Sequence, residues 1–178
     1  MPRLVCLLGA ECTGKTTLVQ ALAKHFSGLS VGECLRDFCV THARAPKAHE
    51  QAGLIDAQLA LEEAALARAA QSGQRWVFCD TAPLLTAVYS DHYFADRNLY
   101  ARALALHQHY ALTLLLTPDL RWVGDGLQRD GVSTRAAVHG LLQRALTTVS
   151  QVKVISGQGA ARTQCAVAAV QSLGVAVP

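Results

Sequence analysis

Gly9-Ala-Glu-Cys-Thr-Gly-Lys-Thr16 follows the apolar run Leu4-Val-Cys-Leu-Leu8 and leads directly into Thr17-Leu-Val-Gln-Ala-Leu-Ala-Lys24. The order reads strand, loop, helix, and the GxxxxGKT spacing is that of a phosphate-binding loop. Gly9 and Gly14 allow backbone paths that a side chain would block, so successive N–H groups can point inward at a polyphosphate. The helix N-terminus behind them adds partial positive charge. The cradle expected for a nucleotide comprises Gly9, Glu11, Cys12, Thr13, Gly14, Lys15, Thr16 and Thr17. Lys15 can reach the β and γ phosphates, and the Thr16 hydroxyl can take one position on a magnesium ion. ATP and Mg²⁺ are the expected cofactors.

Outward from the loop, four further apolar segments alternate with helical stretches: Leu29–Val31, Trp76–Cys79, Leu112–Leu116 and Val152–Ile155. With Leu4–Leu8 they predict an α/β fold with a five-stranded parallel sheet and helices on both faces. Gln51–Gln71 reads as a long amphipathic helix with Ile55, Leu59, Leu66 and Ala70 on its buried side, and its Gln, Glu and Arg residues as a solvated face. At 178 residues and 51% hydrophobic, the chain is expected to form one domain over residues 1–178.

The formal charge of +3, with Lys and Arg scattered, gives little push toward nucleic acid. No apolar run reaches the roughly 18 residues that span a bilayer. The six cysteines form no CxxC pair, and the first strand begins too early to leave room for a signal peptide. The expected setting is cytoplasmic, with small-molecule partners and no nucleic acid or membrane.

In an open parallel sheet, ligands collect beyond the carboxyl ends of the strands. Asp80, closing the third strand, is therefore a candidate for the magnesium shell or for accepting the proton of an attacking hydroxyl. The competing reading is an N-cap, because Asp80 and Thr81 precede Pro83 and a helix. Beyond the second strand, Glu33 could bind substrate hydroxyls or act as base, and Arg36 could hold a phosphate or an acid, with Asp37 as its partner or a surface residue. The segment from Thr117 to Gly131 mixes Gly, Asp and Arg and suits a lid, with Arg121 and Arg129 placed to balance charge on a transferred phosphoryl group. His107 and His109 form an HxH without a recognisable third metal ligand.

GAECTGKTTL, Glu33 with Arg36-Asp37-Phe38, Asp80-Thr81 with Thr86 and Tyr89, and Arg121-Trp-Val-Gly-Asp-Gly-Leu127 together resemble the nicotinamide riboside kinase domain of NadR-type proteins and its stand-alone AAA-type ATPase relatives. The resemblance covers nearly the whole chain. It implies a P-loop kinase fold and transfer of the γ phosphate of ATP to the 5′-hydroxyl of a ribonucleoside. It places Gly9, Gly14, Lys15 and Thr16 on the phosphate loop, Asp80 on the strand-end acid, and Asp125 with Arg129 on the lid. The family pattern has arginine directly after the leucine of WVxDGL, whereas this chain has Gln128 there and Arg129 next. Tyr89, Tyr93, Phe94, Phe38 and Trp122 are all candidates to stack on the substrate. Two other readings stay open: a kinase of another small metabolite, and an ATP-binding regulatory switch.

Overall fold

The computed structural model describes residues 1–122 and 131–173. Strands β1 (Arg3–Leu8), β2 (Leu29–Val31), β3 (Trp76–Asp80), β4 (Tyr110–Leu116) and β5 (Val152–Ile155) form one sheet in the order β2-β3-β1-β4-β5. All pairings are parallel. The five-stranded parallel sheet is what the alternation of apolar segments and helices predicts, and the fold is that of P-loop kinases, as the resemblance implies.

Helices α1 (Lys15–His25), α2 (Cys34–His42), α3 (Gln51–Gln71), α4 (Pro83–Phe94), α5 (Leu99–His107), α6 (Gly131–Ala145) and α7 (Gly159–Ser172) supply the crossovers. Both faces of β1 are buried because each has its own helical cover. Leu4, Cys6 and Leu8 belong to a core that includes Ala65 and Ala69 of α3, Leu84 and Val88 of α4, and Val138 and Leu142 of α6. Val5 and Leu7 point to the other core, where Leu18 and Leu22 of α1 meet Ala166 and Val170 of α7.

Helix α3 is turned relative to the expected stripe. Its buried residues are Gln51, Leu54, Ile55, Gln58, Glu62, Ala65 and Ala69, while Ala70 is exposed and Leu59 and Leu66 are half-buried. Gln58 and Glu62 are therefore not on a solvated face, because each finds polar partners inside. The Glu62 carboxylate accepts from the Tyr110 hydroxyl at 2.8 and 2.7 Å and from Gln58 Nε2 at 3.1 Å, and Gln58 Oε1 accepts from the Cys34 N–H at 3.2 Å. A buried polar group is tolerated when it is paired in this way.

Burial raises the pKa of Glu62 above its ordinary value of 4.5, with the bonds from Tyr110 and Gln58 pulling the other way. The folded chain thus holds this proton more tightly than the unfolded chain, so Glu62 makes stability fall as pH rises above that ordinary value. Glu62→Gln is expected to flatten this decline in urea unfolding midpoints measured from about pH 5 to pH 8. Equal slopes in the two proteins would remove Glu62 as its source.

Candidate active site

The loop between β1 and α1 is shaped by close packing. A Cβ on Gly9 would lie 2.6 Å from Thr13 Oγ1 and 3.1 Å from Leu116 Cβ, and Gly14, the N-cap of α1, has φ 80°. Both positions therefore favour glycine, the first for space and the second for conformation. Thr13 turns inward and donates to the Ala10 carbonyl at 2.8 Å, and Thr17 is exposed on the first turn of α1. Lys15 is buried, and its Nζ donates to the carbonyls of Gly9 at 3.0 Å and Ala10 at 3.2 Å. The ammonium is thus held over the loop by the backbone itself.

Register delivers the acid to this loop. Asp80 pairs with Leu7 in the β1–β3 ladder, two residues before Gly9, and its side chain is buried. Thr16 Oγ1 donates to Asp80 Oδ2 at 2.5 Å, so the two residues expected to share a metal are in direct contact. The chain enters α4 through Ala82 as N-cap, without a side-chain cap bond, so neither Asp80 nor Thr81 caps the helix.

Beyond β2, Arg36 sits between the carboxylates. Its Nη1 donates to Thr16 Oγ1 at 2.9 Å and lies 4.0 Å from Asp80 Oδ2, and its Nη2 donates to Glu33 Oε2 at 3.2 Å. The carboxylate that Arg36 pairs with is therefore Glu33, and Asp37 is an exposed surface residue, the second of its two expected places. A cationic group beside Thr16 and Asp80 shows that this donor set accepts positive charge. Asp80 Oδ1 has no hydrogen-bond partner among the described residues. A hard divalent cation such as magnesium, which takes oxygen ligands, fits the Thr16 hydroxyl and the Asp80 carboxylate.

Glu33, Cys34, Gln58, Thr81, Thr86 and Tyr89 line a small pocket beside these groups. Burial, with Asp37, Glu62 and Glu33 adding to it, pushes the Cys34 thiol up to about 11, so this pocket residue is a neutral thiol. Of the aromatic candidates, Tyr89 lines the pocket. Phe38 instead stacks on His42 at 4.0 Å between ring centroids, and Tyr93 and Phe94 are partly exposed. Asp125 and Arg129 lie outside the described residues, and Arg121 is exposed just before them. His107 is buried against Thr113 Oγ1 at 2.8 Å while His109 is exposed, so the HxH pair is not brought together on a metal; among the described residues no group of three ligating side chains gathers.

Two arginines that sequence reasoning missed brace the phosphate loop from behind. Arg162 on α7 donates to the carbonyls of Thr13 (2.9 Å), Thr117 (3.0 Å) and Gly157 (2.9 Å) and to Asp119 Oδ1 (2.7 Å). Arg135 on α6 donates to Leu120 O at 2.8 Å and Cys12 O at 3.4 Å. Neither belongs to a local motif, and their partners in the loop, Thr13 and Cys12, lie 149 and 123 positions away.

Residues 4–162 match the AAA_28 family model, described as an AAA domain. The chain belongs to this family. It is 32% identical over 146 residues to the trifunctional NAD biosynthesis/regulator protein NadR of Salmonella typhimurium, covering 81% of this chain and 35% of that protein. It is 31% identical over 131 residues to NadR of Escherichia coli, covering 74% and 32%. The chain thus spans about a third of the length of these curated relatives. Among solved structures, a NadR protein in complex with NR superposes with a TM-score of 0.79 at 24% identity, covering 99% of this chain and 53% of that one. A thymidylate kinase from Ehrlichia chaffeensis gives 0.66 at 15% identity, covering 97% and 98%, and places the AAA_28 chain among P-loop kinase folds.

Proposed function

We propose that this chain is an ATP-dependent, magnesium-dependent kinase that transfers the γ phosphate to the 5′-hydroxyl of a ribonucleoside, with nicotinamide riboside as the acceptor. The observation that carries the reading is the convergence of Lys15, Thr16, Asp80, Glu33 and Arg36 at the carboxyl end of the sheet, next to a pocket. The similarity to NadR, a protein of NAD biosynthesis, supports the choice of acceptor. The 1–178 chain is taken as one catalytic domain.

The loop amides and Lys15 would bind and orient the triphosphate, with Lys15 leaving its carbonyl partners for the γ phosphate. Thr16 and Asp80 would hold the magnesium ion, which supplies charge neutralisation on the phosphates when bound. Glu33 or Asp80 would orient the acceptor hydroxyl in line with the γ phosphorus and take its proton as the new P–O bond forms and the bond to ADP breaks. Arg36, paired with Glu33 on one side and touching Thr16 on the other, is placed to follow the charge between them. Asp125 and Arg129 are proposed to act from the lid, Arg129 by balancing phosphoryl charge.

The test is ADP release, coupled to a reporter, across ribonucleosides, deoxyribonucleosides and sugars. Nicotinamide riboside is expected to stimulate turnover. Slow hydrolysis that no acceptor stimulates would instead favour a regulatory ATPase. Glu33→Gln is expected to raise the apparent KM for the nucleoside roughly ten- to hundred-fold, since a hydrogen bond from a hydroxyl to a carboxylate contributes on the order of 1.5–3 kcal/mol. An unchanged nucleoside KM, or a deoxyribonucleoside used as well as its ribonucleoside, would remove Glu33 from ribose recognition.

A further inference from the structure

Thr81, between β3 and α4, combines three features that the assignments above leave unused. The first is its backbone, with φ 88°, a conformation in which a β-branched residue is an outlier. The cause is visible on both sides. Its N–H donates to Leu7 O at 3.2 Å, extending the ladder to β1, while Ala82 is held extended at φ −155° and ψ 162° by the proline that follows. Thr81 has to absorb the turn between these fixed ends. Glycine would do so without strain.

The second feature is the side chain. Thr81 is 5% exposed, and its Oγ1 has no hydrogen-bond partner among the described residues. Buried hydroxyls are normally paired, and leaving one unpaired destabilises the fold. Helix capping does not account for it, because the N-cap of α4 is Ala82.

The third feature is position. Thr81 lines the pocket with Glu33 and Thr86, directly after Asp80, whose Oδ1 is likewise unpartnered. Among the described residues no lysine or arginine lines this pocket, and Arg36 beside it donates to Glu33 and Thr16. The polar part of the lining, Glu33, Gln58, Thr81 and Thr86, suits a ligand that presents hydroxyl groups, since a hydroxyl both donates and accepts, while Leu35, Leu54 and Leu85 suit its apolar surface and nothing in the lining suits an added phosphate. Strain and unpaired polar atoms that coincide at a pocket point toward function, because a purely structural position would lose both by substitution.

We infer that Thr81 Oγ1 is a specificity-determining contact that hydrogen-bonds a non-reacting hydroxyl of an unphosphorylated, polyhydroxylated phosphoryl acceptor. The inference rests on the kinase reading above. It adds a residue to the acceptor site and sets nucleosides and sugars apart from nucleotides as substrates.

Thr81→Val keeps the shape and the β-branch, and hence the strain, and removes only the hydroxyl; Thr81→Ser keeps the hydroxyl. Both are compared with wild type for steady-state ADP release with nicotinamide riboside and the acceptor panel, for ATP KM, and for Tm. The valine variant is expected to lose about tenfold in acceptor kcat/KM, chiefly through KM, with ATP KM within about twofold and Tm equal or higher. The serine variant is expected to stay within about threefold of wild type. Acceptor kinetics unchanged in the valine variant would overturn the inference alone. So would a valine variant that fails to fold, or one that loses acceptor kinetics, ATP KM and Tm together, because the hydroxyl would then be structural. A wild-type protein that no acceptor stimulates overturns the kinase reading and this inference with it, and one that prefers a nucleoside monophosphate overturns the acceptor class.

Discussion

Lys15→Ala is expected to lower turnover by about 2–4 kcal/mol, roughly 30- to 1000-fold, while the protein remains folded. The ammonium is proposed to act on charge that grows as the γ phosphoryl group leaves, so its removal should appear in kcat and in kcat/KM for ATP alike. The structure also predicts a smaller, separate effect on stability. Lys15 Nζ donates to Gly9 O and Ala10 O, and its loss leaves two loop carbonyls without that donor, at a cost on the order of 1 kcal/mol. The two β1-facing cores do not include Lys15, so circular dichroism should show the native fold. Wild-type ADP production from a folded Lys15→Ala protein would remove the phosphate-loop assignment.

The loop was legible in sequence because its chemistry is local: two glycines, a lysine and a threonine at fixed spacing between a strand and a helix. The strands were legible for the same reason, each being a short apolar run. Boundaries moved by a residue or two, as with β4, which begins at Tyr110. What sequence pattern could not reach were polar residues whose partners lie far along the chain. Helix α3 illustrates this. Gln58 and Glu62 look solvated by composition, yet they are buried because Tyr110, 48 residues beyond Glu62, supplies a hydroxyl. Arg162 likewise meets Thr13 across 149 positions. Arg36 meets Thr16 and Glu33, and its choice of Glu33 over the adjacent Asp37 follows from helix geometry: Glu33 and Arg36 stand three residues apart, whereas neighbours one apart point to different faces. Thr81 carries its signal in a backbone angle that no residue pattern encodes.

Asp80→Asn is expected to lower kcat about 100- to 1000-fold with any acceptor and to leave the KM values little changed, the range covered by loss of a metal-holding carboxylate or of a general base. The substitution preserves size, and Asp80 sits in the β1–β3 ladder through its backbone, so Tm should change little. What changes is charge. Asp80 Oδ2 accepts from Thr16 at 2.5 Å and stands 4.0 Å from the Arg36 guanidinium, and Oδ1 is unpartnered among the described residues. An asparagine oxygen in the Oδ2 place can still accept from Thr16, but the amide then presents N–H groups in the Oδ1 place, where the carboxylate presents an acceptor to a cation. The two roles left open for Asp80 separate in one further measurement. If it holds magnesium, higher magnesium should restore part of the lost kcat in Asp80→Asn. If it takes the acceptor proton, magnesium should not help. A folded Asp80→Asn protein with kcat within about threefold of wild type would exclude both roles and leave Glu33 as the carboxylate of the reaction.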